Sequence, residues 1–318
     1  MTPARLFGFE KWYFDFALPT GEVVFFFLAK TRILGRKDFR LSLTVASPRD
    51  VPIRRSMIIR ESPAKAPSSS PPPLFPGFQE KPCPPESEIP VRMSGDDLSV
   101  DLVFVRHPET RAAARPMVIP RGRRRIRWEP IHARSVVRGS IRTGGRTWNA
   151  DGYDGYIDRL VSDIFPLFTP VRTLYWGRLH HPKGSLVYAV IPRLRPAALL
   201  TWDSAGGRLE FDTVEVVERG KRVSPILGLA FPPAYTLRAA GPAGSVRLDV
   251  ENAATAVETG FIANEDLRSG LENRALSFLA RNPRGIKFFS RGRVRIENKG
   301  RAVEIEDARF FSEFVRFS

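Results

Sequence analysis

Residues 12–29 read WYFDFALPTGEVVFFFLA. Trp12 to Leu18 and Glu22 to Ala29 are rich in aromatic and β-branched residues, and Pro19-Thr20-Gly21 between them supplies turn chemistry, so the stretch reads as a hairpin. Downstream, Phe39, Leu41, Leu43 and Val45 alternate with Arg40, Ser42, Thr44 and Ala46 at strand period. The alternation returns in Leu98 to Val105. It continues in Ser135 to Ile141 and Thr147 to Ala150, which flank the turn Thr143-Gly144-Gly145-Arg146. Later segments keep the pattern: Leu174 to Leu179, Leu186 to Ile191, Ala198 to Trp202, Leu209 to Val217, Tyr235 to Ala239, Val246 to Val250, Val294 to Glu297 and Ala302 to Phe311. Many short strands joined by turns mean an all-β sandwich or barrel.

The chain has 318 residues, long enough for two ordinary cores, and 42% of them are hydrophobic. Its 28 prolines and 24 glycines cut it into short segments. Ten prolines fall between Ser62 and Pro90, where missing backbone donors oppose both helix and ladder, so this stretch is expected to be an extended surface loop. One helix is expected over Asn264 to Leu279, with Asn264 as its cap. Trp12-Tyr13 before Pro19-Thr20-Gly21 recurs as Tyr175-Trp176 before Pro182-Lys183-Gly184, and Val24-Phe25 is answered by Val187-Tyr188 at the same offset. The repeat divides the chain into an N-terminal β domain, 1–168, carrying the proline-rich loop 62–90, and a C-terminal β domain, 169–318.

The net charge of +16 comes mostly from arginine, since 41 of the 50 basic residues are Arg. Such an excess suits phosphate or carboxylate partners, and it also arises where guanidinium stems simply cover apolar surface. The densest run holds Arg121, Arg123, Arg124, Arg125 and Arg127 and reads as a solvated loop able to touch an anionic membrane. Without a reading helix or a stacking motif, nucleic acid is not the expected partner. Cys83 is the single cysteine, which excludes an internal disulfide and a multi-cysteine metal site. The four histidines lack metal-ligand spacing, and no phosphate-binding glycine loop is present, so neither a metal nor a cofactor is expected. The most apolar run, Val23 to Ala29, is far short of the roughly 20 residues of a spanning helix. The beginning has no continuous apolar run of the export type. A cytoplasmic location, peripheral to a membrane at most, is the expectation.

Two segments could carry chemistry. Glu10-Lys11-Trp12-Tyr13-Phe14-Asp15-Phe16 places carboxylates among aromatics on one strand, where an inward acid is poorly solvated and retains its proton. Asn149 to Asp158 crowds three acids beside two tyrosines. Asp151 and Asp154 are compatible with ordinary turns, because the acidic ligand that ends a calcium-binding hand loop is missing.

These residues also carry a resemblance. Phe9-Glu10-Lys11-Trp12-Tyr13-Phe14-Asp15, followed by the Gly21 hairpin, is similar to the Glu-Trp-Trp-Tyr-Phe-Asp opening of the two-barrel, lipocalin-like proteins that include the carotenoid hydratases and the AttH-like proteins. Lys11 stands in place of the first Trp. Trp128-Glu129-Pro130 through Gly139 to Gly155-Tyr156-Ile157-Asp158, and on to Tyr175-Trp176-Gly177-Arg178, resembles the family's Gly-Tyr-x-Asp segment and the Trp-containing strand after it. Where many relatives continue with a His-Asn-Trp-Gly-like sequence, this chain has Arg159-Leu160-Val161-Ser162.

The resemblance implies two tandem lipocalin-like (calycin-type) antiparallel β-barrels with one or two minor helices, and ligand space for an apolar small molecule, an isoprenoid or a polyketide. The leading expectation is a hydratase that protonates a carbon-carbon double bond of an isoprenoid or carotenoid-like substrate and adds water. Asp158 is the expected acid, Tyr156 its orienting partner and Asp15 the reserve acid. Trp12, Tyr13, Trp148, Tyr175, Trp176 and Arg178 are the expected substrate contacts, with aromatic faces to stabilise positive charge. A cyclase or Diels-Alderase-like pocket enzyme and a non-catalytic carrier of apolar ligands are the alternatives.

Overall fold

The computed structural model describes residues 7–33, 36–60, 87–95, 97–110, 114–164, 169–192, 198–260 and 283–317. Cys83, most of the proline-rich stretch and the helix expected at 264–279 lie outside these residues, and the described residues contain no helix. The chain forms two compact units. The first comprises Met1–Arg115 and Trp128–Val161, the second Pro116–Arg127 and Ser162–Ser318.

The first sheet is built from β1 (Phe7–Ala17), β2 (Val23–Ile33), β3 (Arg36–Ala46), β4 (Ile53–Arg60), β5 (Glu88–Gly95), β6 (Leu98–Arg106), β7 (Met117–Arg121), β8 (Arg124–Thr143), β9 (Arg146–Asn149) and β10 (Tyr153–Ser162). Its strand order is β4-β3-β2-β1-β10-β8-β6-β5, with β7 and β9 paired to β8. The second unit contributes β11 (Thr173–His181), β12 (Gly184–Val190), β13 (Ala198–Ser204), β14 (Gly207–Phe211), β15 (Glu215–Arg219), β16 (Arg222–Val223), β17 (Ala230–Phe231), β18 (Ala234–Gly241), β19 (Gly244–Gly260), β20 (Pro283–Asn298) and β21 (Arg301–Phe317). Nine of these form a sheet in the order β14-β13-β12-β11-β21-β20-β19-β18-β15, and β16 pairs with β17 alone. Both sheets wind alike: a meander runs outward from the first strand, and the last strand of the unit returns to pair with that first strand. Each sheet curls like a half-barrel, so strands from both ends of the order meet in one core. In the first unit Leu43 and Val45 of β3 join Ile89 and Val91 of β5.

The quoted hairpin forms as read. Ala17 pairs with Val23, and Trp12 with Leu28. Gly21 takes a φ of 90°, which glycine adopts without a Cβ penalty. Trp12, Phe14 and Phe16 alternate into the core with Val24, Phe26 and Leu28. The Phe14 and Phe26 rings stack with centroids 4.8 Å apart. Such a pair adds roughly 1 kcal/mol to the roughly 2 kcal/mol per ring that burial contributes.

The second hairpin turns differently. His181 pairs with Gly184 across only two residues, against the five between Ala17 and Val23. Core-facing Tyr175 and Leu179 keep the repeat's offset from Trp12 and Phe16, but on the second strand Leu186, Tyr188 and Val190 face the core. Val24 therefore corresponds to Leu186 rather than Val187, because the tighter turn removes one residue and a one-residue slip exchanges the faces of a strand.

Two further expectations change. Arg121 to Arg127 is not a loop but the tip of the β7 and β8 hairpin, turned at Gly122 with a φ of 59°, and Arg121, Arg123, Arg124 and Arg125 are exposed on it. Pro90, expected in the loop, lies in β5 opposite Val103. β5 ends the sheet order, and an edge strand tolerates a residue with no N–H to donate.

Close packing of β10 on β8 and β1 depends on Gly155. A Cβ there would lie 2.5 Å from Val137 Cγ2, 2.9 Å from Phe104 Cε1 and 3.0 Å from the Asp15 carbonyl oxygen. Gly155→Ala is therefore expected to cost about 2 kcal/mol or more through overpacking. Urea unfolding of the variant measures this, and an unchanged midpoint would refute the packing argument.

Candidate active site

Alternation breaks where the candidate residues lie. Trp12, Tyr13, Phe14, Asp15 and Phe16 of β1 are all buried, as are the five residues from Gly155 to Arg159 of β10. Both faces of these adjacent strands are withdrawn from water, and every polar group on them needs a partner.

On the core face, Arg159 is 5% exposed and lies between two carboxylates. Its Nε donates to Glu10 Oε1 at 2.8 Å and its Nη1 reaches Glu129 Oε1 at 3.4 Å. The guanidinium sits 5.5 Å from the Trp12 ring centroid, and Trp12 Nε1 donates to Glu10 Oε1 at 3.2 Å. Trp12 thus faces the core of the first unit and belongs to an ion network. Trp148, on β9, packs half-buried against the same core.

The opposite face carries Tyr13, Asp15, Tyr156 and Asp158. Two residues apart on β10, Tyr156 and Asp158 point the same way, and the phenol donates to Asp158 Oδ2 at 3.1 Å. The Trp128 side chain, at the point where β8 enters the first unit, also hydrogen-bonds to Asp158. Tyr13 and Tyr156 rings lie 6.3 Å apart, and Tyr13 stacks on Phe25. Lys11 holds its ammonium 5.4 Å from the Tyr13 ring and 5.2 Å from that of Phe27. Asp15 is fully buried on this face.

Burial dominates the electrostatics of Asp158. Loss of hydration disfavours the carboxylate and raises its pKa from 3.8 to about 6, against the opposing pull of Lys11, Trp128 and Tyr156; the nearby Asp15 adds to the rise. The group can therefore hold or release a proton near neutral pH.

Tyr175, Trp176 and Arg178 lie in the second unit. Tyr175 faces that unit's core, where its hydroxyl donates to Glu218. Trp176 and Arg178 occupy the other face of β11 and are buried. Beside them, Lys287 Nζ pairs with Glu313 Oε2 at 2.5 Å and lies 5.4 Å from the Trp176 ring. Arg178 lies 5.9 Å from the Phe311 ring. Arg178 and Lys287 thus place buried cationic donors on this face of the second unit, a chemistry suited to a carbonyl or an anionic oxygen.

The family resemblance singles out Asp158 and Tyr156 but gives no role to Trp128, Lys11, Arg159 or Lys287. Each of those four is brought to its partners by strand pairing over long sequence separations. Asp151 serves the turn, where its Oδ1 accepts from Gly139 N at 2.7 Å, whereas Asp154, expected in the turn, lies on β10 and accepts twice from Arg134 of β8. An open cavity of about 440 Å³ lies on the second unit among Arg219, Arg247, Asp249, Arg291 and Arg293. Its charged lining does not suit an apolar ligand.

Asp158 also links stability to pH. Its folded pKa lies above the unfolded value of 3.8, so the stabilisation is complete below about pH 4 and is lost as pH rises through about 6. Such a displacement corresponds to at most about 3 kcal/mol. Relative to Asp158→Asn, the native protein should gain stability as pH falls from 7 to 4. Parallel denaturant titrations across that range measure the difference, and a constant difference would show that the group is not desolvated.

No protein-family model matches the sequence, and neither does any curated protein sequence. Solved structures do match in shape. A proposed AttH from Nitrosomonas europaea aligns with a TM-score of 0.55 at 12% identity, over 96% of this chain and 91% of that one. Kievitone hydratase from Nectria haematococca aligns with a TM-score of 0.57 at 12% identity, over 97% and 89%. CghA in complex with Sch210972 aligns with a TM-score of 0.58 at 12% identity, over 98% and 89%. The two curled antiparallel sheets of this chain thus have the lipocalin-type fold of the AttH-like proteins, along nearly its whole length.

Proposed function

We propose that the protein is a hydratase that adds water to a carbon-carbon double bond of an apolar, isoprenoid-like substrate. The observation that carries this reading is Asp158, a buried carboxyl with a pKa near 6, held by Tyr156 among aromatic rings. A protonated Asp158 delivers its proton to one alkene carbon. The positive charge that develops on the other carbon is stabilised by the faces of Tyr13 and Tyr156. Water then forms the new carbon-oxygen bond, and the proton it releases restores Asp158. The fold shared with kievitone hydratase supports the reading without naming this chain's substrate.

A cyclase is the second reading, favoured by the buried Lys287 and Arg178 beside Trp176. Donors there would polarise a carbonyl of a polyene substrate and hold it in a reactive conformer.

The experiment begins with mass spectrometry of ligands extracted from the purified protein, followed by incubation with unsaturated isoprenoids of the class found. A product heavier by one water is expected. Asp158→Asn should lower turnover about a hundredfold or more while substrate still binds. Turnover by the native protein should fall as pH rises above about 6, and Tyr156→Phe should move that limb upward because it removes a hydrogen bond that favours the carboxylate. An isomer of unchanged mass, formed equally well by Asp158→Asn, would transfer the assignment to the cyclase.

A further inference from the structure

Four large hydrophobic residues are exposed among the described residues, and two of them, Val223 at 61% and Ile226 at 78%, share one loop of the second unit. That loop runs from the end of β15 to β17 as Arg219-Gly220-Lys221-Arg222-Val223-Ser224-Pro225-Ile226-Leu227-Gly228-Leu229. Its shape is fixed. Ser224 is buried, its N–H donates to the Leu229 carbonyl at 2.9 Å, and its carbonyl accepts from Gly228 N at 2.9 Å. Ser224 Oγ accepts from Leu227 N at 2.8 Å and donates to Glu258. Arg284 clamps the Leu227 carbonyl at 2.8 Å. Leu229 and Leu227 turn inward onto the core. The same turn that anchors these two leucines drives Ile226 and Val223 outward, so their exposure is built in.

The charged side chains of the loop itself, Arg219, Lys221 and Arg222, are all basic. Lys221 and Arg222 are exposed and form no ion pair among the described residues. Arg219 reaches only Asp249, at 3.8 Å. A rigid apolar tip collared by basic side chains fits a surface that offers anionic headgroups above an apolar layer. A second copy of this chain fits poorly, because two molecules of charge +16 repel.

We propose that the 219–229 loop docks the protein onto anionic lipid bilayers, with Ile226 and Val223 entering the headgroup boundary and Lys221, Arg222 and Arg219 pairing with lipid phosphates. This reading is independent of the reaction.

The test is sedimentation of the full chain with vesicles of phosphatidylcholine alone or mixed with phosphatidylglycerol. Binding is expected only to the mixed vesicles, and salt should weaken it. The double variant Val223→Asp with Ile226→Asp should lower partitioning more than tenfold. The double variant Lys221→Gln with Arg222→Gln should lower it by about fivefold per charge. Ile226→Trp gives an independent signal, because its emission should shift to the blue with mixed vesicles. Unfolding midpoints of the variants should match the native chain, since the altered side chains are exposed. The proposal is overturned if the native chain ignores phosphatidylglycerol, or if the aspartate variant sediments as well as the native chain. It is equally overturned if only Arg123→Gln, Arg124→Gln and Arg125→Gln on the other hairpin abolish binding, or if the loop variants instead abolish a lipid-free dimer.

Discussion

Burial of both faces of β1 and β10 is the constraint on which the candidate chemistry depends. A strand with one wet face can leave its charges in water, whereas a strand enclosed on both sides must partner each of them within the protein. Arg159 meets this requirement on the core side through Glu10 and Glu129. Removing one partner of such a buried pair generally costs about 3–5 kcal/mol, because the other charge stays behind. On the far side Asp158 meets it differently. Tyr156 and Trp128 donate to it, and the desolvation that remains raises its pKa. One pair of strands therefore carries a network fixed by charge pairing on one face and a titratable carboxyl on the other.

The second unit repeats the winding but not the chemistry. Its first strand, β11, is also buried on both faces over Tyr175 to Leu179. In place of a titratable acid it presents Arg178 and, from the neighbouring strands β20 and β21, the Lys287 and Glu313 pair. Gly177 lets the Tyr188 ring cross the strand, since a Cβ there would lie 2.3 Å from the Tyr188 hydroxyl oxygen. Tyr188 in turn hydrogen-bonds Tyr235 at 2.7 Å, and burial pushes the Tyr235 phenol up to about 12. These phenols are neutral structural links at any physiological pH. The shared architecture has thus been filled with different polar groups, which is why fold alone does not settle the reaction.

The arginine surplus divides by environment. Arg159 and Arg178 are buried among aromatics, whereas Arg247, Arg291, Arg293 and Arg295 alternate with acids on the outer surface of the second unit. Exposed pairs of this kind contribute little stability. Their value lies in solubility and in the sign of the surface potential.

Period-two alternation and turn glycines determined the all-β class, the quoted hairpin and the Gly144-Gly145 turn, because these depend on residues close together in sequence. The Tyr156-x-Asp158 pair came from the family resemblance alone, because the crowded acids of Asn149 to Asp158 read as turn residues and hid the strand β10; once that strand forms, side chains two residues apart share a face. Which face that is could not be read locally, since the run of buried residues from Trp12 to Phe16 carries no alternation to mark inside from outside. Pairing of β1 with β10 and of β8 with β10 decided it. That pairing turned Trp12 toward the core and Arg159, while bringing Trp128, Tyr13 and Lys11 to Asp158. The one-residue difference between the two hairpin turns was likewise invisible in the aligned letters, because register follows from how the turn closes. The sequence determined which residues could form strands; only the tertiary structure decided which carboxylates were paired and which was left desolvated, because burial on both faces is a property of the assembled sheet and not of any strand within it.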